Sequence, residues 1–115
     1  MFLAIIAAIA LATPVPPSQP SEMTLSDLQA LCGEREPGDA CRFYILGVME
    51  GTSIASGLAK DKSHFCTPPG VTQTEIVAVV KRLASADLAR YPEDAMMPAV
   101  SFTAAALLKA YPCGG

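Results

Sequence analysis

The residues of this chain that could carry chemistry are its four cysteines and its single histidine. His64 stands two residues before Cys66, and a cysteine next to a histidine can be an activated nucleophile. A solvated loop histidine beside a disulfide-bonded cysteine explains the same pair more simply. We therefore predict no catalytic residue and no cofactor.

The number and spacing of the cysteines favour disulfides over a metal site. Zinc sites place paired ligands about two to four residues apart, and no two cysteines here are that close. An even number of cysteines in an exported chain is typical of a disulfide framework. We predict two disulfides and no metal among the residues Cys32, Cys41, Cys66 and Cys113.

The acidic residues form two small clusters, which are Glu34, Glu36 and Asp39 in one turn and Glu93 and Asp94 in another. Paired carboxylates can act as a general acid and base. Helix capping or a solvated face accounts for them better, and no glycine-rich phosphate loop accompanies them.

The N-terminus predicts export from the cytoplasm. Residues 1–12, MFLAIIAAIALA, are apolar but shorter than the ~20 residues that a membrane-spanning helix needs. They end in Ala10-Leu11-Ala12, the small-x-small pattern of a signal peptidase site, although no basic residue precedes the apolar run. We predict a cleaved signal peptide over residues 1–12 rather than a retained anchor, hence no membrane association after cleavage.

The rest of the chain divides into a leader and one domain. Residues 13–23 are rich in Pro and Ser and predict a flexible leader, and residues 24–113 predict a single folded domain. The net charge is −3, with no Trp and no basic cluster. Nucleic-acid binding is therefore not expected.

Helical signals dominate the domain, and we predict an all-α fold of four helices. Thr24 with Asp27 and Thr72 with Glu75 have the spacing of capping boxes, which place the starts of the first and third helices. The fourth helix is expected to begin near Asp94, with Pro98 in its first turn. Its buried face is predicted to contain Val100, Thr103, Ala104, Leu107, Leu108 and Tyr111.

The stretch from Cys41 to Lys60 predicts one long helix, capped by Asp39 and apolar on nearly all sides between Phe43 and Met49. Such a helix is usually buried. It also carries small residues four apart, which let another backbone come close. Tight packing within one subunit is the favoured interpretation and a dimer seam is the alternative for Gly47, Gly51 and Ala55.

The order of the helices predicts which cysteines pair. Short loops make neighbouring helices antiparallel. Cys32 ends the first helix at the same end of the bundle where Cys41 begins the second. Cys66 follows the opposite end, which the fourth helix reaches at Cys113. We therefore predict bridges Cys32–Cys41 and Cys66–Cys113.

The loop between the second and third helices is the remaining functional candidate. It presents Asp61, Lys62 and His64, and two prolines with the Cys66 bridge would stiffen it. A rigid loop loses less entropy on binding. The loop is a possible partner-binding site, or it simply connects two helices.

Taken together, these motifs resemble the Rap/Tai family of type VI secretion immunity proteins. The resemblance covers about Leu25 to Cys113, and it rests on a Leu-rich helix ending in Cys32 and on the segments Cys41–Gly51 (CRFYILGVMEG), Phe65–Thr72 (FCTPPGVT), Val79-Val80, Ala105–Leu107 and Tyr111–Cys113 (YPC).

This resemblance implies a small helical periplasmic protein that is not an enzyme. Family members bind a peptidoglycan amidase effector and block its active site, and several look like homodimers. The family's inhibitory residues lie on variable loops and match no position here. Two other functions are compatible with an exported helical domain, a periplasmic acid-stress chaperone and a carrier of a small apolar ligand.

Overall fold

The structure is a computed structural model that describes residues 22–33, 38–59 and 65–113. Within these ranges the fold is all-α, as predicted. The four helices are α1 (Leu25–Cys32), α2 (Asp39–Ala59), α3 (Gln73–Arg90) and α4 (Ala99–Ala110), with a 3₁₀ helix at Pro92–Met96. The predicted signal peptide, all of the leader but its last two residues, and the loop residues Asp61, Lys62 and His64 lie outside the described residues.

Both predicted capping boxes are present. The Thr24 hydroxyl accepts from the Asp27 backbone N–H at 3.2 Å, and the Asp27 carboxylate accepts from the Thr24 N–H at 3.0 Å. Thr72 and Glu75 make the same reciprocal pair at 3.1 and 3.3 Å. Each box satisfies two backbone donors that a helix start otherwise leaves without a partner, and so fixes where the helix begins.

Two other predicted helix starts are wrong in detail. Asp39 is the first residue of α2 rather than its cap, and its carboxylate accepts a hydrogen bond from Arg42 Nη2 at 2.7 Å. The fourth helix begins at Ala99, not near Asp94. A residue before proline avoids the helical conformation, and Met97, which precedes Pro98, is extended with φ −61° and ψ 142°. This break separates the 3₁₀ helix from α4.

Each of the four helices packs against the other three. The core between them is apolar, apart from Thr103, whose hydroxyl donates to the Ala99 carbonyl at 2.7 Å. Buried apolar residues are Leu25, Leu28, Cys32, Cys41, Ile45, Val48, Phe65, Ile76, Val77, Val80, Ala84, Ala99, Phe102, Ala106 and Leu107.

The buried face of α4 differs from the predicted one. Val100 is 43% exposed, whereas Phe102 and Ala106 are buried beside Thr103 and Leu107. The remaining predicted positions, which are Ala104, Leu108 and Tyr111, are half-buried. The helix also begins about five residues later than predicted, because residues 92–96 form a separate 3₁₀ helix.

The prediction that α2 is the buried central helix is also wrong. Only Cys41, Ile45 and Val48 are buried on it, and every described side chain from Gly51 to Leu58 is exposed or half-buried. Two of the helices packed against α2 are much shorter than it, since α2 has 21 residues but α1 has 8 and α4 has 12. At about 1.5 Å per residue, α1 and α4 are too short to cover the far half of α2.

Two short backbone pairings tie the ends of the domain to α4. At its start, Leu25 N–H donates to the Met97 carbonyl and Ala99 N–H donates to the Met23 carbonyl, each at 2.8 Å. At its end, Cys66 N–H donates to the Tyr111 carbonyl at 2.8 Å. The segments that enter α1 and α3 are therefore both held by α4.

The disulfides join Cys32 to Cys41 and Cys66 to Cys113, which is the predicted pairing. The first links the end of α1 to the start of α2. The second links the segment before α3 to the residue that follows Pro112, and so closes a span of 47 residues. Of the helices in the described part of the chain, none has the length and apolar character that would span a membrane.

Candidate interaction surface

An open groove runs along α2. Its volume is about 890 Å³, and one wall comes from the segment before α1 and from Val100 on α4. We call it the α2 groove. It is lined by Glu22, Met23, Phe43, Tyr44, Gly47, Val48, Gly51, Thr52, Ala55, Ser56 and Val100.

The floor of the α2 groove contains the stripe of small residues. A Cβ placed on Gly47 or on Gly51 would meet no other atom within 4 Å. Within the described residues, no other helix comes close to either glycine, which contradicts the interpretation favoured from sequence. A glycine inside a helix costs about 1 kcal/mol relative to alanine, and nothing in the described subunit compensates this cost.

Large apolar side chains lie on the exposed half of α2 and beside the groove. Phe43, Ile54 and Leu58 are 62%, 63% and 83% exposed. From residue 43 to residue 58 the helix carries one charged residue, Glu50. Exposed apolar surface with little charge is typical of the centre of a protein–protein interface.

Polar groups lie around Tyr44 and Arg42, near the start of α2. Partial burial raises the pKa of the Tyr44 phenol, and the nearby negative charge of Glu22 raises it further. The Arg42 guanidinium is held by Asp39 and lies 5.3 Å from the centre of the Phe43 ring. These contacts orient the Phe43 ring at the edge of the groove.

Another groove, of about 600 Å³, lies between α3 and α4. We call it the α3–α4 groove. Arg90 lies over the Tyr91 ring at 5.4 Å from its centre, and Tyr91 is 43% exposed. The groove is lined by Leu83, Ala86, Asp87, Arg90, Tyr91, Met97, Ser101, Phe102, Ala105, Ala106 and Lys109.

Two carboxyl groups meet at the corner beside the α3–α4 groove. The Asp94 carboxyl hydrogen-bonds the Asp87 carboxylate, which raises the pKa of Asp94, and desolvation and the Asp87 charge act in the same direction. One oxygen of Asp87, Oδ2, is buried without a hydrogen-bond partner. The sequence prediction grouped Asp94 with Glu93 as a solvated pair and missed Asp87, seven residues away along the chain.

The described residues offer apolar contact surface. All four cysteines are in disulfides. Within the described ranges, no three or more His, Cys, Asp or Glu side chains come together as metal ligands could. Apolar grooves edged by tyrosine and arginine are suited to binding another protein, because these side chains dominate the energetics of protein interfaces.

The structure describes the predicted dimer-seam residues but not the predicted loop residues. It brings Gly47, Gly51 and Ala55 together along the floor of the α2 groove. Sequence reasoning missed the exposed apolar residues around them, which are Phe43, Ile54, Leu58 and Val100. The length of α2 could have indicated this exposure, because a helix of 21 residues extends beyond α1 and α4, which have 8 and 12 residues.

Comparison with known proteins gives one match. The family model for Rap1a immunity proteins matches residues 24–113, which span the start of α1 to the last bridged cysteine. No curated protein matches the chain, and no solved structure matches it.

Proposed function

The chain belongs to the Rap1a immunity protein family, and from this membership we propose that it binds a type VI secretion effector and inhibits it. We propose further that this effector is a peptidoglycan amidase, and that inhibition works by covering the amidase active site. The observation that carries the proposal is the extent of the family match, since residues 24–113 include all four helices and both disulfides.

The physical character of the domain supports a binding role. Two disulfides and four mutually packed helices fix the positions of the surface side chains before any partner arrives. A preorganised surface loses less conformational entropy on association. The α2 groove and the α3–α4 groove supply apolar contact area on this rigid frame.

We place this activity in the periplasm. Disulfides persist in oxidising compartments, and an apolar run with a signal-peptidase pattern occupies residues 1–12. A peptidoglycan amidase acts on the cell wall, so its inhibitor must be present on the same side of the inner membrane.

We propose the loop that carries Asp61, Lys62 and His64 as a contact with the effector. It follows the exposed half of α2 in the chain and precedes Phe65, which is buried in the core. A segment tethered at Phe65 and by the Cys66 bridge has a fixed exit point from the domain. The charged side chains would then supply polar contacts next to an apolar surface.

We also propose that the chain forms a homodimer through the α2 groove. Close approach of two helices requires small residues on both of them, and a second copy supplies the same stripe automatically. An interface between identical chains with two-fold symmetry is self-complementary in this way. The uncovered glycines and the exposed Phe43, Ile54 and Leu58 support this arrangement.

The experiment that tests the function is a pull-down from periplasmic extract with the mature, oxidised protein as bait. An amidase assay on the bound material follows. Capture of a cell-wall amidase that loses activity in proportion to the bound protein supports the proposal. The matched control is the same protein reduced and alkylated, which should capture less. An amidase that binds and keeps full activity would contradict inhibition, and a folded protein that captures none would contradict the effector assignment.

A further inference from the structure

The two disulfides differ in their exposure to solvent. Cys32 and Cys41 are 2% and 0% exposed and belong to the hydrophobic core. Cys66 is exposed, and Cys113 is half-buried. A reagent in solution can therefore meet the second bridge in the folded protein, whereas access to the first requires α1 and α2 to separate.

The contacts around the exposed bridge do not depend on the sulfur–sulfur bond alone. The Cys66 N–H donates to the Tyr111 carbonyl at 2.8 Å, and Phe65 pairs with Pro112 across the same short antiparallel bridge. The Phe65 side chain is 9% exposed and lies in the core. The two segments should therefore stay together when the sulfurs part, and the helices should stay folded.

We propose that Cys66–Cys113 is a thiol–disulfide exchange site for a dithiol protein or small dithiol, and that Cys32–Cys41 is closed to the same reagent. The proposal goes beyond effector binding, because it needs no effector. Under native conditions Cys32–Cys41 is then purely structural, whereas Cys66–Cys113 can be reduced and reoxidised.

The exchange follows ordinary thiol chemistry. A thiolate of the dithiol attacks Cys66 Sγ, a mixed disulfide forms there, and Cys113 leaves as a thiolate that takes up a proton. The second thiol of the reagent then attacks the mixed disulfide and releases Cys66 as a thiol. The protein bridge gains two electrons and two protons, and the dithiol is oxidised to its own disulfide.

Exposure favours Cys66 as the sulfur attacked, because Cys66 is the more exposed partner of the bridge.

The test is graded reduction of the native oxidised protein with dithiothreitol, quenched by alkylation and located by peptide mass spectrometry. We expect Cys66 and Cys113 to be alkylated at least about tenfold faster than Cys32 and Cys41, because the buried bridge reacts only after a larger part of the structure opens. Helical circular dichroism should persist after the first pair is alkylated. Equal rates for the two bridges, or faster reduction of the buried one, would overturn the proposal.

A second measurement identifies the attacked sulfur and does not require any variant to fold. Glutathione, a monothiol, has no second thiol with which to resolve its mixed disulfide intramolecularly, so rapid alkylation of the released cysteine traps the adduct on the attacked sulfur. We expect the glutathione adduct on Cys66, with Cys113 free, and an adduct mainly on Cys113 would contradict the assignment. The double variant Cys66→Ser/Cys113→Ser provides a control. It should keep its helical circular dichroism signal and yield no rapidly alkylated thiol.

Discussion

The backbone N–H of Leu25, the first residue of α1, donates to the carbonyl of Met97, just before α4, at 2.8 Å. Together with the reciprocal bond from Ala99 to Met23, this contact pairs the entrances of two helices that are over 70 residues apart in sequence. Leu25 and Ala99 are both 0% exposed. The junction therefore joins two buried helix starts, whereas Asp27 of the adjoining capping box stays exposed.

Replacing Leu25 tests how much this junction contributes to stability. Leu25→Ala removes a fully buried side chain and leaves a cavity, so we expect the free energy of unfolding to fall by about 2–5 kcal/mol. Urea denaturation followed by circular dichroism measures the loss. Met96→Ala is the matched control, because Met96 is 77% exposed on the neighbouring 3₁₀ helix and should change stability little. Similar losses for both variants would show that the junction is not tightly packed.

The carboxyl pair at Asp87 and Asp94 predicts a distinct pH dependence. The pKa of Asp94 in the folded protein is raised above its ordinary 3.8. Its contribution to stability is therefore complete below pH 3.8 and is lost as the pH rises through the folded pKa. Asp94→Asn keeps a hydrogen-bond donor without a negative charge, so we expect a higher melting temperature than wild type at neutral pH and a smaller difference in acid.

Thermal melts across the acid range measure this effect, with Glu93→Gln as the control because Glu93 is an exposed neighbour. A melting temperature of Asp94→Asn below that of wild type at neutral pH would contradict the prediction. The Thr24 capping box has the opposite sign, since hydrogen bonds from Thr24 lower the pKa of Asp27 below 3.8. The stability that Asp27 contributes is present above pH 3.8 and is lost as the pH falls through its folded pKa.

The capping box at the start of α3 gives a third prediction. Thr72→Ala removes the hydroxyl that accepts from the Glu75 N–H, and we expect a loss of about 0.5–2 kcal/mol in unfolding free energy. Chemical denaturation measures it. The control is Thr74→Ala, at the second residue of the same helix, which is also exposed. This change should be neutral or slightly stabilising, because alanine is the better helix former. A larger loss from Thr74→Ala than from Thr72→Ala would contradict the capping role.

The open floor of the α2 groove gives the fourth prediction. Gly51→Ala meets no neighbouring atom, so it should stabilise the isolated subunit by up to about 1 kcal/mol through helix propensity. Gly51→Leu keeps α2 helical but fills the groove, and it should convert the proposed dimer into monomers. Light scattering at several concentrations measures the mass.

The control for Gly51→Leu is Ser53→Leu, which adds the same side chain at an exposed α2 position outside the groove. Ser53→Leu should leave the mass unchanged. A wild-type protein that is monomeric at all concentrations would contradict the dimer, and it would leave the amidase assay as an independent test of the effector proposal.

Local signals in the sequence were sufficient for much of the fold. The capping boxes at Thr24 and Thr72 set two helix starts because each depends on residues only three positions apart. The disulfide pairing followed from helix order, since Cys32 and Cys41 flank one turn and Cys66 and Cys113 flank a helical pair. Such features need no knowledge of distant contacts.

Features that depend on distant packing were not predictable in the same way. The exposure of Leu58 depends on how far the other helices extend along α2, which the sequence of α2 alone does not reveal. The late start of α4 reflects the extended Met97, and the backbone pairing of Met97 with Leu25 joins opposite ends of the domain. The pair of Asp87 and Asp94 likewise needs the corner between α3 and the 3₁₀ helix.

The bridges pair consecutive cysteines, with sequence separations of 9 and 47. A chain that crosses a membrane from its N-terminus presents Cys32 and Cys41 first, and an oxidase that joins cysteines in order of arrival forms the native bridge from them. Cys66 then meets Cys113 as the next to arrive. For the export proposed above, correct oxidation should therefore require no disulfide isomerase, whereas nested or crossed bridges would depend on one.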